Sequence, residues 1–325
     1  MRRLLVGLAA GSLLITATAC GSSGGGGGGG SNGSSSSGGT TAVKVGVIPI
    51  VDVAPLYLGQ KQGFFARHGL KLSMTTAQGG AAIVPGVVSG QFQFGFSNVT
   101  SLMIAQSQNV PVKAVANGVA STGTTGKDFG AVVVRKDSPV KSAADLQGKK
   151  VAVNTLKNIN ETAVRASVRK AGGDPAKVTF VELAFDQMPA ALDKGQIDAA
   201  MVVEPALATI VGQGGRQIAS PYPDVAAGLT VAMYFTSTQY ARQHPDVVKK
   251  FQEATAESLA YADAHPDEVR QIVTTYTQIP AAVLAKVTLP KWPATANRAS
   301  VEALEKLGQQ DGLFKTAPDL DKLLP

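Results

Sequence analysis

The chain has only one cysteine and three histidines among 325 residues. Cys20, His68, His244 and His265 cannot assemble a structural zinc site or an iron–sulfur cluster, and a lone thiol builds no disulfide framework. Aromatic residues are 6 % of the chain and charged residues 16 %, with no long basic run. A base-stacking platform interleaved with cations is therefore missing, and nucleic acid is excluded as a partner despite the formal charge of +7. No nucleophile elbow, phosphate-binding loop or two-histidine zinc helix occurs. With Cys20 assigned to another task below, no thiol nucleophile remains. Each histidine sits at a helix boundary, where a surface or capping role explains it. No cofactor is implied.

What the chain does have begins at its start. Met1-Arg2-Arg3 is basic, and Leu4–Ala19 follows without a charge. That apolar stretch is shorter than the roughly 20 residues a spanning helix needs, so residues 1–19 read as a secretory signal peptide. Ala17-Thr18-Ala19-Cys20 resembles a bacterial lipobox, with Ala17 where Leu is usual. Lipidation of Cys20 is the expectation, and plain cleavage after Ala19 is the alternative. From Gly21 to Thr40 every residue is Gly, Ser, Asn or Thr, a flexible tether spanning roughly 25 Å. Loss of residues 1–19 removes two arginines and no acid, leaving a mildly basic portion from Thr41 onward.

That portion alternates β-branched runs with amphipathic segments. Val43–Ile50 reads as a buried strand, Pro55 opens a helix, and Leu70–Thr76 is a second strand. A Gly-rich turn at Gln78-Gly79-Gly80 opens another helix, and Phe92–Phe96 and Val110–Ala116 continue the alternation. After the loose stretch Ser121–Lys127 a second α/β unit begins. It includes Phe129–Arg135, Lys150–Asn154, an Asn158-capped helix, Val178–Leu183 and Ala199–Val203. Leu229–Thr236 is a return strand. Pro245–Gln278 is helical with a break at Pro266, and two further helices close the chain. The fold class is α/β, in two lobes with a C-terminal helical tail.

Asp52 and Glu204 each follow an apolar strand directly, at the carboxyl edge where open α/β sheets place ligands. Capping and ligand contact both remain open for them. Asp186 is expected to cap the helix starting at Gln187, and Asp145 to sit in a helix's first turn. Helix starts offer N–H groups and the positive end of the dipole. On that ground Gly79, Ser97, Asn98, Asn154, Thr155 and Asn158 are candidate ligand-binding residues, with Asn117 adding an amide at a strand's end. Asn98 and Asn158 also suit N-caps. Lys157 is a possible counter-charge for an anion.

Four stretches in order carry a resemblance: APLYLGQKQGFFARHGL (Ala54–Leu70), DLQGKKVAV (Asp145–Val153), MPAALDKGQIDAAMVVEP (Met188–Pro205) and PDVVKKF (Pro245–Phe251). They resemble the nitrate/sulfonate/taurine-type substrate-binding proteins of ABC importers over Val43–Leu324. The resemblance implies a type II periplasmic-binding-protein fold with two crossover segments. Lobe 1 would be residues 41–120 with 225–325, and lobe 2 residues 121–224. It implies a monomer, held by a lipid anchor at the extracytoplasmic face of the cell membrane. The monomer captures a small solute and delivers it to a membrane permease with a cytoplasmic ATPase. Were Asp52 and Glu204 both to face the cleft, a zwitterion such as an aminosulfonate, or an amine-bearing heterocycle, would suit better than nitrate. A pyrimidine-precursor uptake receptor is the alternative solute reading. A thiamin-pyrimidine synthase-like enzyme would need a Cys-rich loop that this chain lacks.

Overall fold

The computed structural model describes residues 39–325. Strand β1 (Thr41–Val47) buries Val43, Val45 and Val47 and exposes Ala42 and Lys44 at its outer end. It pairs in parallel with β2 (Leu70–Thr76) on one side and β3 (Phe94–Asn98) on the other. The chain continues through β4 (Val112–Ala120) and then leaves the sheet. A second five-stranded sheet follows: β5 (Gly130–Val134), β6 (Lys150–Val153), β7 (Thr179–Glu182), β8 (Ala199–Val203) and β9 (Arg216–Ala219). β10 (Thr230–Ser237) then returns to the first sheet, antiparallel to both β3 and β4. All eight β10 positions are buried, as expected of a strand sandwiched between neighbours and covered on both faces.

The strand orders are β2-β1-β3-β10-β4 and β7-β6-β8-β5-β9. Each sheet thus has four strands running one way and one inner antiparallel strand, β10 in the first and β5 in the second, each entered by a crossover of the chain between the sheets. The two crossovers lie side by side, with Ser121 N–H donating to Leu229 O at 2.8 Å. Asp128 knots the first one: Thr122 and Phe129 N–H donate to Oδ1, and the Ser121 hydroxyl donates to Oδ2 at 2.7 Å.

The expected α/β alternation and two lobes are present. Arg216–Ala219 is a strand that the sequence reading does not include. Its sequence RQIA carries no strand pattern, yet it pairs with β5 as an edge strand, and Arg216 donates to the Ser138 and Val140 carbonyls. A short helix, Pro221–Val225, then packs on the Ile159–Lys170 helix before the chain crosses back. The tail helix Pro245–Ala264 ends at His265, and Pro266 opens the next, as Pro266 dictates. Its Phe251 stacks on Phe94 with centroids 3.9 Å apart, fastening the tail to the first lobe. Three helices follow that pair, one more than expected: Ala281–Leu284, Arg298–Gln310 and Leu320–Leu323. No described helix is long and apolar enough to cross a membrane.

Candidate functional site: the cleft between the lobes

Three helices begin where the lobes meet. The Gly80–Val88 helix starts in the first lobe after Gly79, whose backbone is extended. The Val99–Ser107 helix starts after Asn98, whose Oδ1 accepts Ser101 N–H at 2.8 Å. In the second lobe the Ile159–Lys170 helix starts after Asn158, whose Oδ1 accepts from Asn160 and Glu161 N–H. A Cβ on Gly80 would overlap Ser97 Oγ, and one on Gly79 would stand 2.8 Å from Thr155 Cγ2 and 3.1 Å from Asn154 Nδ2. The Gly79-Gly80 turn therefore lies between Ser97 and the Asn154-Thr155 pair, at contact distance from both. Across this seam Gln78 Nε2 donates to Asn154 O at 2.7 Å, and Asn154 Nδ2 donates back to Gln78 O at 3.2 Å. The effect is a concentration of N–H groups, amides and hydroxyls at the positive ends of three helices.

An amide cluster stiffens the second-lobe side. Asn158 Nδ2 donates to Asn154 Oδ1 and Thr155 Oγ1, both at 2.8 Å, and Asn160 Nδ2 donates to the same Asn154 Oδ1. The Tyr222 hydroxyl closes the chain on Asn160 Oδ1 at 2.6 Å. Asn160 and Tyr222 escaped the sequence reading. The available signal was the spacing Asn154, Asn158, Asn160 directly after a strand.

Six sequence candidates thus gather at the seam: Gly79, Ser97, Asn98, Asn154, Thr155 and Asn158. Asn117 lies elsewhere. It borders a cavity between β4, the tail helix and the C-terminus, and its Nδ2 donates to Pro293 O at 2.7 Å. Glu204 is a cap and a tie: Oε2 accepts Ala208 N–H and Oε1 accepts Thr288 N–H, both at 2.9 Å. Burial outweighs these two bonds and pushes its pKa up to about 7. Lys157 is exposed, with φ +53°. Asp145 forms the expected capping box with Ser142. Asp186 caps nothing; the helix begins at Met188 without a side-chain cap, and Asp186 stands at the cleft's rim. Cys20 and the signal and tether lie outside the described residues.

Asp52 stays as a group without an evident structural task. It is 2 % exposed, Trp292 Nε1 donates to its backbone carbonyl, and its Oδ1 has no partner. Burial pushes its carboxyl up to about 8, opposed by its own backbone N–H and reinforced by the charge of Asp128. Next to it, Val51 N–H donates to Glu204 O across the seam at 3.1 Å. Outside this point the cleft opens into two adjoining cavities of about 570 and 230 Å³, sharing Pro49, Ile50, Phe185 and Asp186. Tyr276 lines the larger; its hydroxyl donates to Ile50 O, and its ring stacks on Tyr57 with centroids 3.9 Å apart. Among the described residues no His/Cys/Asp/Glu cluster could hold a metal ion.

The NMT1/THI5-like family matches residues 50–269 of the chain. The taurine-binding periplasmic protein of Escherichia coli K12 is 28 % identical over 229 residues, covering 70 % of this chain and 68 % of that protein. The 4-amino-5-hydroxymethyl-2-methylpyrimidine phosphate synthase of Aspergillus parasiticus is 22 % identical, covering 66 % of this chain and 64 % of that one. Among solved structures, the ligand-binding component of an ABC-type import system from Staphylococcus aureus superposes with a TM-score of 0.76. It is 17 % identical, over 88 % of this chain and 96 % of that one. That likeness establishes the periplasmic-binding-protein fold.

Proposed function

Because the chain belongs to the NMT1/THI5-like family, we propose that it is the solute receptor of an ABC importer, capturing a small organic solute between its lobes. One observation carries this reading: three helix N-termini, from both lobes, meet at the cleft around Gly79, Ser97, Asn154 and Thr155. A solute seated there gains N–H and amide donors from each side, which draws the lobes together. Residues 41–120 with 225–325 and residues 121–224 move as the two bodies, hinged on the paired crossovers. The likeness to a taurine-binding protein supports a sulfonate-like or zwitterionic solute. Asp52, Asn98 and Asn158 complete the ligand surroundings, the two asparagines by setting the helix starts.

The reading is capture without chemistry. The synthase among the relatives raises the enzyme alternative, but no histidine approaches the cleft. His68 pairs with Glu257 at 2.7 Å, His244 packs on Tyr240, and His265 stacks on Tyr261. The protein acts as a monomer, lipidated at Cys20 and tethered by residues 21–40 to the extracytoplasmic face of the membrane. It hands solute to a permease with a cytoplasmic ATPase. A thermal-shift screen of the purified protein against sulfonates, amino acids, pyrimidines and inorganic anions tests the reading. A receptor gains about 2.7 kcal/mol at a solute concentration of 100 Kd, a shift of several degrees. No stabilisation by any member would overturn it.

A further inference from the structure

Granting the receptor reading, we propose that residues 277–289 form a strap across the cleft mouth, clasped to the second lobe by Glu204, which releases and refastens as solute passes. Both feet of the strap stand on the first lobe. At the near foot the Pro266–Val273 helix packs on the Ala54–Lys61 helix, and Tyr276 stacks on Tyr57 and donates to Ile50 O. At the far foot Ala120 N–H donates to Lys291 O at 2.8 Å and Lys291 N–H returns to Ala120 O at 3.0 Å. Beside them the buried Trp292 donates from Nε1 to Asp52 O.

Between its feet the segment touches the second lobe. The Ala281–Leu284 helix packs on the Ala206–Gly212 helix, where a Cβ on Gly212 would stand 3.9 Å from Val283 Cγ1. Thr288 N–H donates to Glu204 Oε1 at 2.9 Å, while Oε2 holds Ala208 N–H in that same second-lobe helix. One carboxylate thus accepts from strap and lobe at once, and such charge-assisted bonds are the strong ones. The first limb of the strap, Thr277, Gln278 and Ile279, lines the cavity of about 570 Å³ together with Phe185, Pro189 and Thr209 of the second lobe. The strap is therefore a wall of the mouth as well as a link between lobes. Little else holds it. Among the described side chains of residues 277–289 only Val287 is buried, so detachment exposes little apolar surface. Segments with few buried contacts open at a fraction of the cost of global unfolding. Val273 and Trp292, at the two feet, are fully packed, which confines the opening to the strap.

Amide hydrogen exchange of the solute-free protein, read by mass spectrometry, tests the strap. Peptides within 281–289 are expected to exchange ahead of the Pro245–Ala264 helix. Glu204→Ala is expected to speed them about 10-fold or more relative to that helix. Equal acceleration of both would make Glu204 a general structural residue and overturn the clasp. Exchange of strap and tail helix in step in the unaltered protein would overturn the strap. Gly212→Cys with Val283→Cys, in a Cys20→Ser background, serves should Glu204→Ala fail to fold. Oxidation is expected to join that pair and slow strap exchange about 10-fold, and no slowing would count against the strap. The gate is tested with each compound of the sulfonate, amino-acid, pyrimidine and anion panel that stabilises the unaltered protein, beginning with 2-aminoethanesulfonate. The oxidised form is expected to bind and release it about 10-fold more slowly, with reduction restoring both rates. Unchanged rates would overturn the gate and leave the receptor reading standing. Should no compound stabilise the unaltered protein, receptor and gate fall together, and exchange still decides whether the strap opens.

Discussion

Glu204 and Asp52 occupy equivalent places in sequence, one acid just past an apolar strand, but their surroundings assign them different work. Both Glu204 oxygens accept backbone N–H groups from separate segments, so an amide there would turn a donor against a donor. Glu204→Gln is expected to cost about 1–3 kcal/mol, read as a lower denaturation midpoint. Both acids also make stability depend on pH. Their folded values, about 8 for Asp52 and about 7 for Glu204, lie above the ordinary 3.8 and 4.5. Between those limits the folded state holds protons that the unfolded chain has shed, so stability falls as pH rises. Their stabilising contribution is complete below about pH 4 and is lost progressively through pH 7 to 8. Melting of the solute-free protein is expected to drop across pH 5 to 8, with a shallower slope in Asp52→Asn. A flat profile in both proteins would contradict the placement of these groups.

At the scale of elements, the site is made by where helices start. Gly79 and Asn158 separate two roles that a helix start can have. Gly79 is extended, so alanine fits its backbone, but the added Cβ meets Thr155 across the seam. Gly79→Ala is expected to weaken solute binding about 10-fold or more with little change in solute-free melting. Asn158→Ala removes the cap of a helix and two amide bonds, and is expected to lower stability by about 1–2 kcal/mol as well. Parallel titration and melting of the two variants distinguishes contact from scaffold. Equal destabilisation by both would show that the seam is structural throughout.

For the whole molecule, the arrangement is two similar sheets joined by two adjacent passages. The Ser121–Leu229 bond joins those passages and the Asp128 knot stiffens the first of them, while the Gln78–Asn154 pair and an Arg169–Asp311 ion pair link the lobes away from them. Apolar packing runs across as well, since one buried cluster holds Val45 and Phe94 of the first sheet together with Val132 and Val151 of the second. The proposed lipid anchor belongs to this scale too. Cys20→Ser is expected to move the protein from the membrane fraction to the soluble extracytoplasmic fraction, and retention on membranes would exclude lipidation there.

The strands, most helix starts and the two-lobe organisation were legible in the residues because apolar periodicity, prolines and capping asparagines act locally. Val43–Val47, the Asn158 cap and the Pro266 break are of this kind. β9 was not legible, because RQIA owes its strand pairing to β5 and to carbonyls some 80 positions earlier in the chain. Nor could the sequence divide the acids. Glu204 and Asp52 look alike until Thr288, 84 residues away, donates to one of them and no donor reaches the other's free oxygen. Local chemistry determined where the helix ends would form; long-range packing decided which side chains are spent on the fold and which keep an unpartnered polar atom.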